Sequence, residues 1–272
     1  MSTSIDLVPH LPVHARATID QFLRHQVRTA DAAGIVLGLS GGIDSALAAR
    51  LAADAVGGEK VLGVQLPDDA FPTVLLDETR SYAHGLGIEE RTIAISGLER
   101  AARAALPDVQ DRVAWGNAKA RLRMLLLYAT ARERRALVLG TGNKSELLLG
   151  YFTKYGDGGV DLLPLGDLYK TQVRELAKAL GLPDTIRQRP PTAGLWEGQT
   201  DEGELGLPYA DLDRILFGLE ELRCEAEIAQ ITGLAPDVVR GVRERVDRHR
   251  HKRRPPPIPK VGRRTIGIDW RD

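Results

Sequence analysis

Two hydroxyls, three glycines and one carboxylate lie together in the segment Gly38-Leu-Ser-Gly-Gly-Ile-Asp-Ser45. Gly41 and Gly42 lack Cβ atoms, so the backbone there can turn tightly and present several N–H groups to a bound anion. A helix that starts directly after such a turn adds the positive end of its dipole. The carboxylate of Asp44 would repel a phosphate unless a cation lies between them. These residue types indicate a polyphosphate that is held together with magnesium.

The residues on either side place this segment between a strand and a helix. Gly34–Leu39 is a short apolar run that predicts a buried β-strand, and Ala46–Ala53 is alanine-rich and favours a helix. The segment is neither a Walker A loop nor a dinucleotide-binding fingerprint, because it lacks Gly-Lys-Ser/Thr and the three-glycine spacing. A plain turn, in which Asp44 only favours the helix start, remains an alternative.

A second segment of similar chemistry, Gly140-Thr-Gly-Asn-Lys-Ser-Glu146, follows another apolar run. Ligands of open parallel sheets bind outside the carboxyl ends of the strands, so both segments are expected to face one crevice. Asp44 and Glu146 could then share a magnesium ion that bridges ATP phosphates. Asn143 and Glu146 also have the spacing of a capping box, and this alternative stays open.

The order of elements indicates an α/β fold with a doubly wound parallel sheet and a helical C-terminal part. We expect one domain over residues 1–272. It consists of an N-terminal helix (1–33), a nucleotide-binding α/β core (34–207), a helical region (208–250) and an extended basic tail (251–272). Strands are predicted over Gly34–Leu39, Lys60–Leu66, Arg91–Ile95 and Ala136–Gly140, with helices over Val74–Leu86, Gly116–Arg134 and Lys170–Leu180. Residues 151–165 and 187–206 are predicted to be irregular.

Composition excludes several classes of protein. The 272 residues carry a formal net charge of +0, which argues against a general nucleic-acid binder. A single cysteine, Cys224, excludes an internal disulfide framework and a cysteine-based metal site. The apolar stretches are too short to span a membrane and the first residues have no signal core. We therefore expect a cytoplasmic protein without nucleic-acid or membrane partners.

The segment 38–45 resembles the Ser-Gly-Gly-x-Asp-Ser loop of the N-type ATP pyrophosphatases. Together with Gly140–Glu146, the stretches Tyr151-Phe-Thr-Lys-Tyr-Gly-Asp-Gly-Gly159 and Pro191-Thr-Ala-Gly-Leu-Trp196 are similar to the NAD synthetases. This resemblance implies an adenine nucleotide α-hydrolase-like (Rossmann-like) fold and a homodimer. It also implies that ATP adenylates deamido-NAD, pyrophosphate leaves, and ammonia then displaces AMP to form NAD.

Matching the motifs carries the family's site residues onto this sequence. Asp44 and Lys170 are implied to be catalytic, and Asp44 and Glu146 to bind Mg²⁺. ATP is implied to contact Gly38, Leu39, Ser40, Gly41, Gly42, Ile43, Asp44, Ser45, Thr141, Lys170 and Thr192. Deamido-NAD is implied to contact Arg121, Lys154, Asp161, His251 and Lys252.

From the residues alone, alternatives to the deamido-NAD assignments remain. Arg121 could only flank the apolar face of its helix, and Lys154 could be solvated. Asp161 has the character of a turn residue, and His251 and Lys252 could belong to a disordered basic tail.

Two departures from the family pattern bear on the prediction. Bacterial members often have arginine before the Leu-Pro that ends the second strand, whereas this sequence has Gln65 there. The contact to the ATP base or ribose near that position is therefore an open point. Glutamine-using members carry an additional amidase domain with a cysteine nucleophile, for which 272 residues leave no room, so we expect free ammonia to be the nitrogen donor.

Overall fold

A parallel sheet of four strands forms the centre of the protein. The computed structural model describes residues 6–196 and 198–266. The strands are β1 (Gly34–Gly38), β2 (Val61–Gln65), β3 (Glu89–Thr92) and β4 (Ala136–Leu139), in the spatial order β3-β2-β1-β4. β1 pairs with both β2 and β4, and the chain order reverses between β1 and β4. The predicted crevice therefore lies at this reversal, where ligands of such sheets bind.

Helices cover both faces of the sheet and form the C-terminal part. Their bounds are α1 (Ala15–Thr29), α2 (Ile43–Val56), α3 (Thr73–Gly85), α4 (Ser96–Ala105), α5 (Arg112–Arg134), α6 (Lys144–Leu149), α7 (Lys170–Ala179), α8 (Asp184–Arg187), α9 (Asp201–Leu205), α10 (Tyr209–Glu220), α11 (Glu225–Thr232) and α12 (Pro236–Arg248). Short 3-10 helices span Gly58–Lys60 and Arg250–Arg253. Among the described residues, none of the helices has the length and apolar character that crossing a membrane requires.

The alanine-rich sequence of α2 explains its central position. Small side chains such as Ala48, Ala49 and Ala52 are fully buried, which lets α2 pack closely on the sheet beneath α1 and α7. On the other face, Met124 and Leu127 of α5 pack against the inner strands. α2 therefore sits rigidly, and its first turn has a fixed position at the carboxyl end of β1.

A separate apolar cluster packs the C-terminal helices against α6 and the start of α7. Tyr209, Leu212 and Leu216 of α10 are buried against Leu149 of α6 and Tyr169, the residue before α7. α10 therefore packs beside both helices that follow β4 along the chain. Whether the four predicted segments act as one domain stays a prediction.

The predicted fold class is confirmed, while several boundaries are wrong. β3 begins at Glu89 and ends at Thr92, two residues before the predicted start and three before the predicted end, although the N–H groups of Ile93 and Ile95 still bond to the carbonyls of Gln65 and Pro67. The short helices α4 and α9 were not predicted, and α9 lies within the supposedly irregular residues 187–206. The tail does not start as extended chain, since residues 250–253 form a 3-10 turn that bonds back to α6 and the loop after it.

Candidate active site

The turn between β1 and α2 organises its hydroxyl groups around one serine. Ser45 Oγ accepts the backbone N–H of Ser40 at 3.2 Å, lies 3.0 Å from Ser40 Oγ and donates to the Gly42 carbonyl at 3.0 Å. Within residues 6–196 and 198–266, no side chain caps the N-terminus of α2, whose cap position is Gly42. The first N–H groups of this helix thus remain available to an anion.

Gly41 shows why the turn requires glycine. Its φ is +75°, and a Cβ atom there would lie 2.9 Å from Thr79 Oγ1 and 3.1 Å from Arg189 Nη1. Arg189 donates to the carbonyl of Gly41 and, at 2.5 Å, to Glu78 Oε2. The segment 187–206 is thereby attached directly to the turn. Sequence reasoning missed Arg189, because it stands in a stretch without periodicity, 148 residues away along the chain.

Three charged side chains converge beside this turn. The buried ammonium of Lys170 lies 2.5 Å from Asp44 Oδ2 and 3.3 Å from Glu146 Oε1. Asn143 Nδ2 donates to the other oxygen of Asp44 at 3.0 Å. The structure therefore brings together the three residues that were predicted for catalysis and metal binding, contributed by α2, α6 and α7.

Glu146 forms the predicted capping box and also contacts the charged cluster, while its role as a metal ligand stays a prediction. Asn143 accepts from the Glu146 N–H at 3.0 Å, and Glu146 Oε2 accepts from the Asn143 N–H at 3.1 Å, so the box is complete. The second oxygen, Oε1, is turned toward Lys170. One carboxylate thus caps α6 and also reaches the charged cluster.

The cluster shifts the protonation of its members. Burial raises the pKa of Glu146 to about 8, with Lys170 opposing the rise and Asp44 adding to it. Burial would lower the pKa of Lys170, but the two carboxylates outweigh that effect and hold its pKa above the usual value. Lys170 is therefore a permanent cation in this environment, and its charge is available to a developing anion.

The donor set of the cluster fits magnesium. Mg²⁺ is commonly held by one or two carboxylates together with substrate phosphates rather than by an all-protein cage. Asp44 and Glu146 supply two carboxylates next to an open helix N-terminus, and no group of three or more His, Cys, Asp or Glu in the described part of the chain forms a cage. The residues present thus suit an ion that arrives with a polyphosphate.

A second group of polar residues lies along the loop that follows α6. Arg121 of α5 donates from Nε to the Lys154 carbonyl at 3.2 Å, and Lys154 Nζ donates to the His251 carbonyl at 3.1 Å. Through these two hydrogen bonds, the basic side chains connect α5, the loop after α6 and the 3-10 turn at residues 250–253. Three of the residues predicted for deamido-NAD are therefore neighbours.

Lys252 completes this group from the 3-10 turn. Its ammonium donates to the carbonyls of Gly150 and Phe152 at 2.7 and 2.9 Å. Lys252 is half-buried, and this burial lowers the pKa of its ammonium group. The 3-10 turn is thus fastened to the loop after α6, and the disordered-tail alternative is wrong for residues 251 and 252.

Comparison with known proteins identifies the family. A family model described as NAD synthase matches residues 15–256. The chain belongs to the NAD synthase family. It is 47% identical over 250 residues to the NH(3)-dependent NAD(+) synthetase of Methanosarcina acetivorans, covering 91% of this chain and 98% of that one. The corresponding protein of Thermococcus kodakarensis is 46% identical over 243 residues, covering 89% and 95%.

Solved structures of the NAD synthase family and of a related synthetase share the fold. An NMN synthetase from Francisella tularensis matches with a TM-score of 0.81 at 35% identity, covering 93% of this chain and 100% of that one. An NH3-dependent NAD synthetase from Campylobacter jejuni matches with a TM-score of 0.77 at 30% identity, covering 90% and 97%. The similarity therefore extends over the whole catalytic core.

Other residues predicted from the NAD synthase motifs have local partners. Asp161 accepts from Tyr128 Oη at 2.9 Å and from the Val138 N–H at 2.8 Å, so it links α5 to β4. Thr192 is exposed and its Oγ1 accepts from the Gly194 N–H at 3.1 Å. Their contacts to substrate or ATP stay predictions, as does the ATP contact of Thr141, which is half-buried in the turn after β4.

Gln65 is used inside the fold. Its Nε2 donates to the Leu76 carbonyl and to Glu90 Oε1, each at 3.0 Å, and the residue is almost fully buried. In this protein the position at the end of β2 therefore joins α3 to β3, rather than pointing a long cation into the crevice.

Two further side chains near Lys170 were not found from the sequence. The ring of Tyr209, on α10, lies 5.2 Å from Lys170 Nζ, and its hydroxyl donates to Asp201 Oδ2 at 3.3 Å. Asp201 is buried at the start of α9, and burial raises its pKa. The aromatic ring stabilises the charge of Lys170 through a cation–π contact.

Proposed function

We propose that this chain amidates deamido-NAD to NAD with ammonia, at the expense of ATP, which is split into AMP and pyrophosphate. The observation that carries the proposal is the meeting of Asp44, Glu146 and Lys170 beside an uncapped helix N-terminus at the switch point of the sheet. Membership in the NAD synthase family and the names of the relatives support the substrate and the nitrogen donor.

The reaction has two displacements. In the first, a carboxylate oxygen of the nicotinate ring attacks the α-phosphorus of ATP, the bond from that phosphorus to the bridging oxygen breaks, and pyrophosphate leaves. In the second, the ammonia nitrogen attacks the acyl carbon, AMP leaves with the electron pair of the carbon–oxygen bond, and the nitrogen loses a proton. Neither step needs a nucleophilic side chain, so the task of the protein is to position reactants and stabilise charge.

The residues of the site suit that task. The N–H groups at the start of α2 and the hydroxyls of Ser40 and Ser45 would bind the phosphates that leave, with Gly38, Leu39 and Ile43 shaping the same turn. Lys170 would stabilise the charge that develops on the transferring phosphate. Mg²⁺, held by Asp44 and Glu146, would neutralise phosphate charge when bound. Thr141 and Thr192 are proposed as further ATP contacts.

Arg121, Lys154, His251 and Lys252 are proposed to hold the dinucleotide. Their mutual hydrogen bonds place cationic groups along the loop that follows Glu146, which suits a substrate with two phosphates. Asp161, at the end of the same loop, is proposed as a ribose contact.

The segment 187–206 is proposed to exclude water from the acyl adenylate, which water would hydrolyse. Two of its attachments lie beside the crevice-forming turn and on α5. Arg189 holds it to Gly41, and the buried ammonium of Lys119 donates to the Leu195 carbonyl at 3.0 Å while pairing with Asp68 at 2.5 Å.

A second candidate activity is the amidation of the mononucleotide, nicotinate mononucleotide. The solved NMN synthetase, with its TM-score of 0.81, is the observation that favours it. The two substrates present the same carboxylate to the same activation chemistry, and they differ in whether an adenylyl group follows the nicotinate ribose phosphate.

The deciding experiment incubates the protein with ATP, Mg²⁺, ammonium chloride and either dinucleotide or mononucleotide acid. Chromatography quantifies the amide, AMP and pyrophosphate. We expect equal amounts of NAD, AMP and pyrophosphate from deamido-NAD, and a lower kcat/KM for the mononucleotide. A higher kcat/KM for the mononucleotide would favour the second candidate. ATP that is bound but not cleaved would contradict both.

We further propose that the protein acts in the cytoplasm as a homodimer. Leu125 and Tyr128, one turn apart on α5, are 60% and 39% exposed, which suits a surface that a second copy covers. Light scattering after size exclusion tests the assembly, with a mass near 59 kDa, twice the 29.7 kDa chain, as the expected result. A mass near that of one chain would contradict it.

A further inference from the structure

A fully buried carboxylate outside the proposed active site connects the two helices that carry Glu146 and Lys170. Asp213 lies on α10, with no solvent exposure. Its Oδ1 accepts from Ser145 Oγ at 2.5 Å, and its Oδ2 accepts from the Thr171 N–H at 2.8 Å. A buried charge of this kind is costly unless it is fully hydrogen-bonded, so its presence requires an explanation.

Ser145 extends the connection to the first residue of α7. Its hydroxyl accepts the backbone N–H of Lys170 at 2.9 Å while it donates to Asp213. The first two N–H groups of α7 are therefore satisfied by side chains from α6 and α10. A helix N-terminus normally takes such partners from its own cap residue or from water. Here two partners come from other elements, with a carboxylate aligned to the helix dipole, while Gln172 of α7 itself accepts the Tyr169 N–H at 2.8 Å.

The residues held in this way are the immediate neighbours of the proposed catalytic groups. Ser145 precedes Glu146 on α6, and Thr171 follows Lys170 on α7. Asp213 hydrogen-bonds Ser145 and the Thr171 N–H, and no hydrogen bond links it to the carboxylate of Glu146 or the ammonium of Lys170 among the residues that the structure describes. Asp213 can therefore affect Glu146 and Lys170 only through the backbone of α6 and α7. The distance that it would set in this way is the 3.3 Å between Glu146 Oε1 and Lys170 Nζ.

We propose that Asp213 is a positioning residue that fixes the start of α7 against the start of α6 and so sets Lys170 and Glu146 at their working distance. The proposal rests on the roles proposed above for those two residues. Without the carboxylate, Ser145 loses its acceptor and the Thr171 N–H is buried without a partner, so the first turn of α7 shifts. A displacement of about 1 Å in a catalytic group costs on the order of a hundredfold in rate.

Glu220 provides a matched control on the same helix. It accepts from Lys144 Nζ at 2.7 Å and from Tyr169 Oη at 2.5 Å, so it also joins α10 to α6 and to the chain just before α7. Its partners are two side chains, however, and among the described residues it accepts from no backbone N–H of α6 or α7. Glu220→Gln weakens the attachment of α10 without releasing the N-terminus of α7.

The experiment measures kcat, KM for ATP and thermal unfolding for Asp213→Asn, Ser145→Ala, their combination and Glu220→Gln in the full chain. Asn keeps the shape of Asp but cannot accept from both donors. We expect Asp213→Asn and Ser145→Ala each to lower kcat by about ten- to a hundredfold, with KM for ATP changed by less than about threefold. The double variant should lose no more activity than the more severe of the two single variants, because both changes break one connection.

Glu220→Gln should keep kcat within about twofold even where its unfolding temperature falls. A kcat for Asp213→Asn equal to the unmodified protein would overturn the proposal, as would an equal loss of kcat in Glu220→Gln. If Asp213→Asn does not fold, Ser145→Ala carries the same test. Lys170→Met distinguishes a failure of the proposed active site from a failure of the positioning role. If Lys170→Met retains turnover, the proposed active site is wrong. If Lys170→Met is inactive while Asp213→Asn is fully active, only the positioning role of Asp213 is refuted.

Discussion

The turns after β1 and β4 lie side by side at one edge of the sheet, and their helices begin in opposite ways. α6 has a complete capping box, in which Asn143 and Glu146 satisfy each other's N–H groups. α2 begins at Gly42 without a side-chain cap among the described residues. Two neighbouring strand ends of the same sheet therefore lead into one closed and one open helix N-terminus.

This difference indicates that an anion would bind at the uncapped N-terminus of α2 rather than at the capped N-terminus of α6. Glycine at a cap position costs a helix a few tenths of a kcal/mol relative to serine or aspartate, so the start of α2 carries a small cost in the ligand-free protein. A phosphate at the open N-terminus would offset that cost through the same N–H groups and the helix dipole. The capped helix α6 contributes a side chain instead, since the Oε1 atom of Glu146, which the capping box does not use, is directed toward Lys170.

The largest effect is expected when a methyl group is added at Gly41, in the turn between β1 and α2. We expect Gly41→Ala to lower kcat/KM for ATP by at least about a hundredfold, because the φ of +75° disfavours alanine and the Cβ would meet Thr79 and Arg189. Gly87→Ala is the control, since Gly87 has a φ of +69° and no atom of the described residues lies within 4 Å of its Cβ position. It should cost about 1 kcal/mol in stability and leave turnover unchanged. Comparable turnover in the two variants would contradict the special role of the first turn.

The second test separates the two functions of Glu146. Glu146→Gln keeps an oxygen that can complete the capping box but removes the charge. We expect the unfolding temperature to change little, while kcat falls about ten- to a hundredfold at limiting Mg²⁺ and recovers in part when Mg²⁺ is raised. A fully active variant would leave Glu146 with its capping function alone.

A third change converts the open helix start into a closed one. Gly42→Ser offers α2 a side-chain cap at a φ of −82°, which serine adopts without strain. The ligand-free protein should be stabilised by a few tenths of a kcal/mol, and the affinity for ATP should fall about tenfold because the serine competes for the N–H groups. Calorimetric titration with ATP measures the affinity; tighter binding by the variant would reverse the interpretation.

The smallest effect is expected when the closed helix is opened. Asn143→Ala removes the cap of α6 and should lower the free energy of unfolding by about 1 kcal/mol. Asp111→Ala is a matched control, because Asp111 caps α5 through the Val113 N–H at 2.9 Å on an exposed surface. Denaturant unfolding should give similar losses for both, and only Asn143→Ala should also alter the Mg²⁺ dependence, since Asn143 holds Asp44 at 3.0 Å.

The approach of Asp44 to Glu146 was predictable from the sequence. Both residues follow apolar runs that predict strands, and the carboxyl ends of parallel strands share one edge. The register of β1 with β4 confirms this, as Leu37 pairs with Leu139 just before the two turns. Local pattern and sheet topology were sufficient, because each step depended on residues close in sequence.

The supporting contacts were not predictable in this way. Asp213 meets Ser145 across 68 residues and Thr171 across 42, and no periodic signal distinguishes it from a solvated aspartate on an amphipathic helix. Arg189 reaches Gly41 from a stretch with neither helical nor strand spacing. Such contacts depend on how α10 and the segment 187–206 pack onto the finished core, and single-sequence patterns do not encode that packing.

The ammonium of Lys170 between Asp44 and Glu146 means that the crevice contains its own counter-ion. Many small metalloproteins unfold when chelators remove their metal, because nothing else compensates the ligand charges. Here a covalently attached cation compensates them from the moment the chain folds. Folding of the protein should thus be independent of the magnesium supply. EDTA should stop turnover while the melting temperature stays unchanged. A shortage of magnesium would then limit the reaction without unfolding the protein.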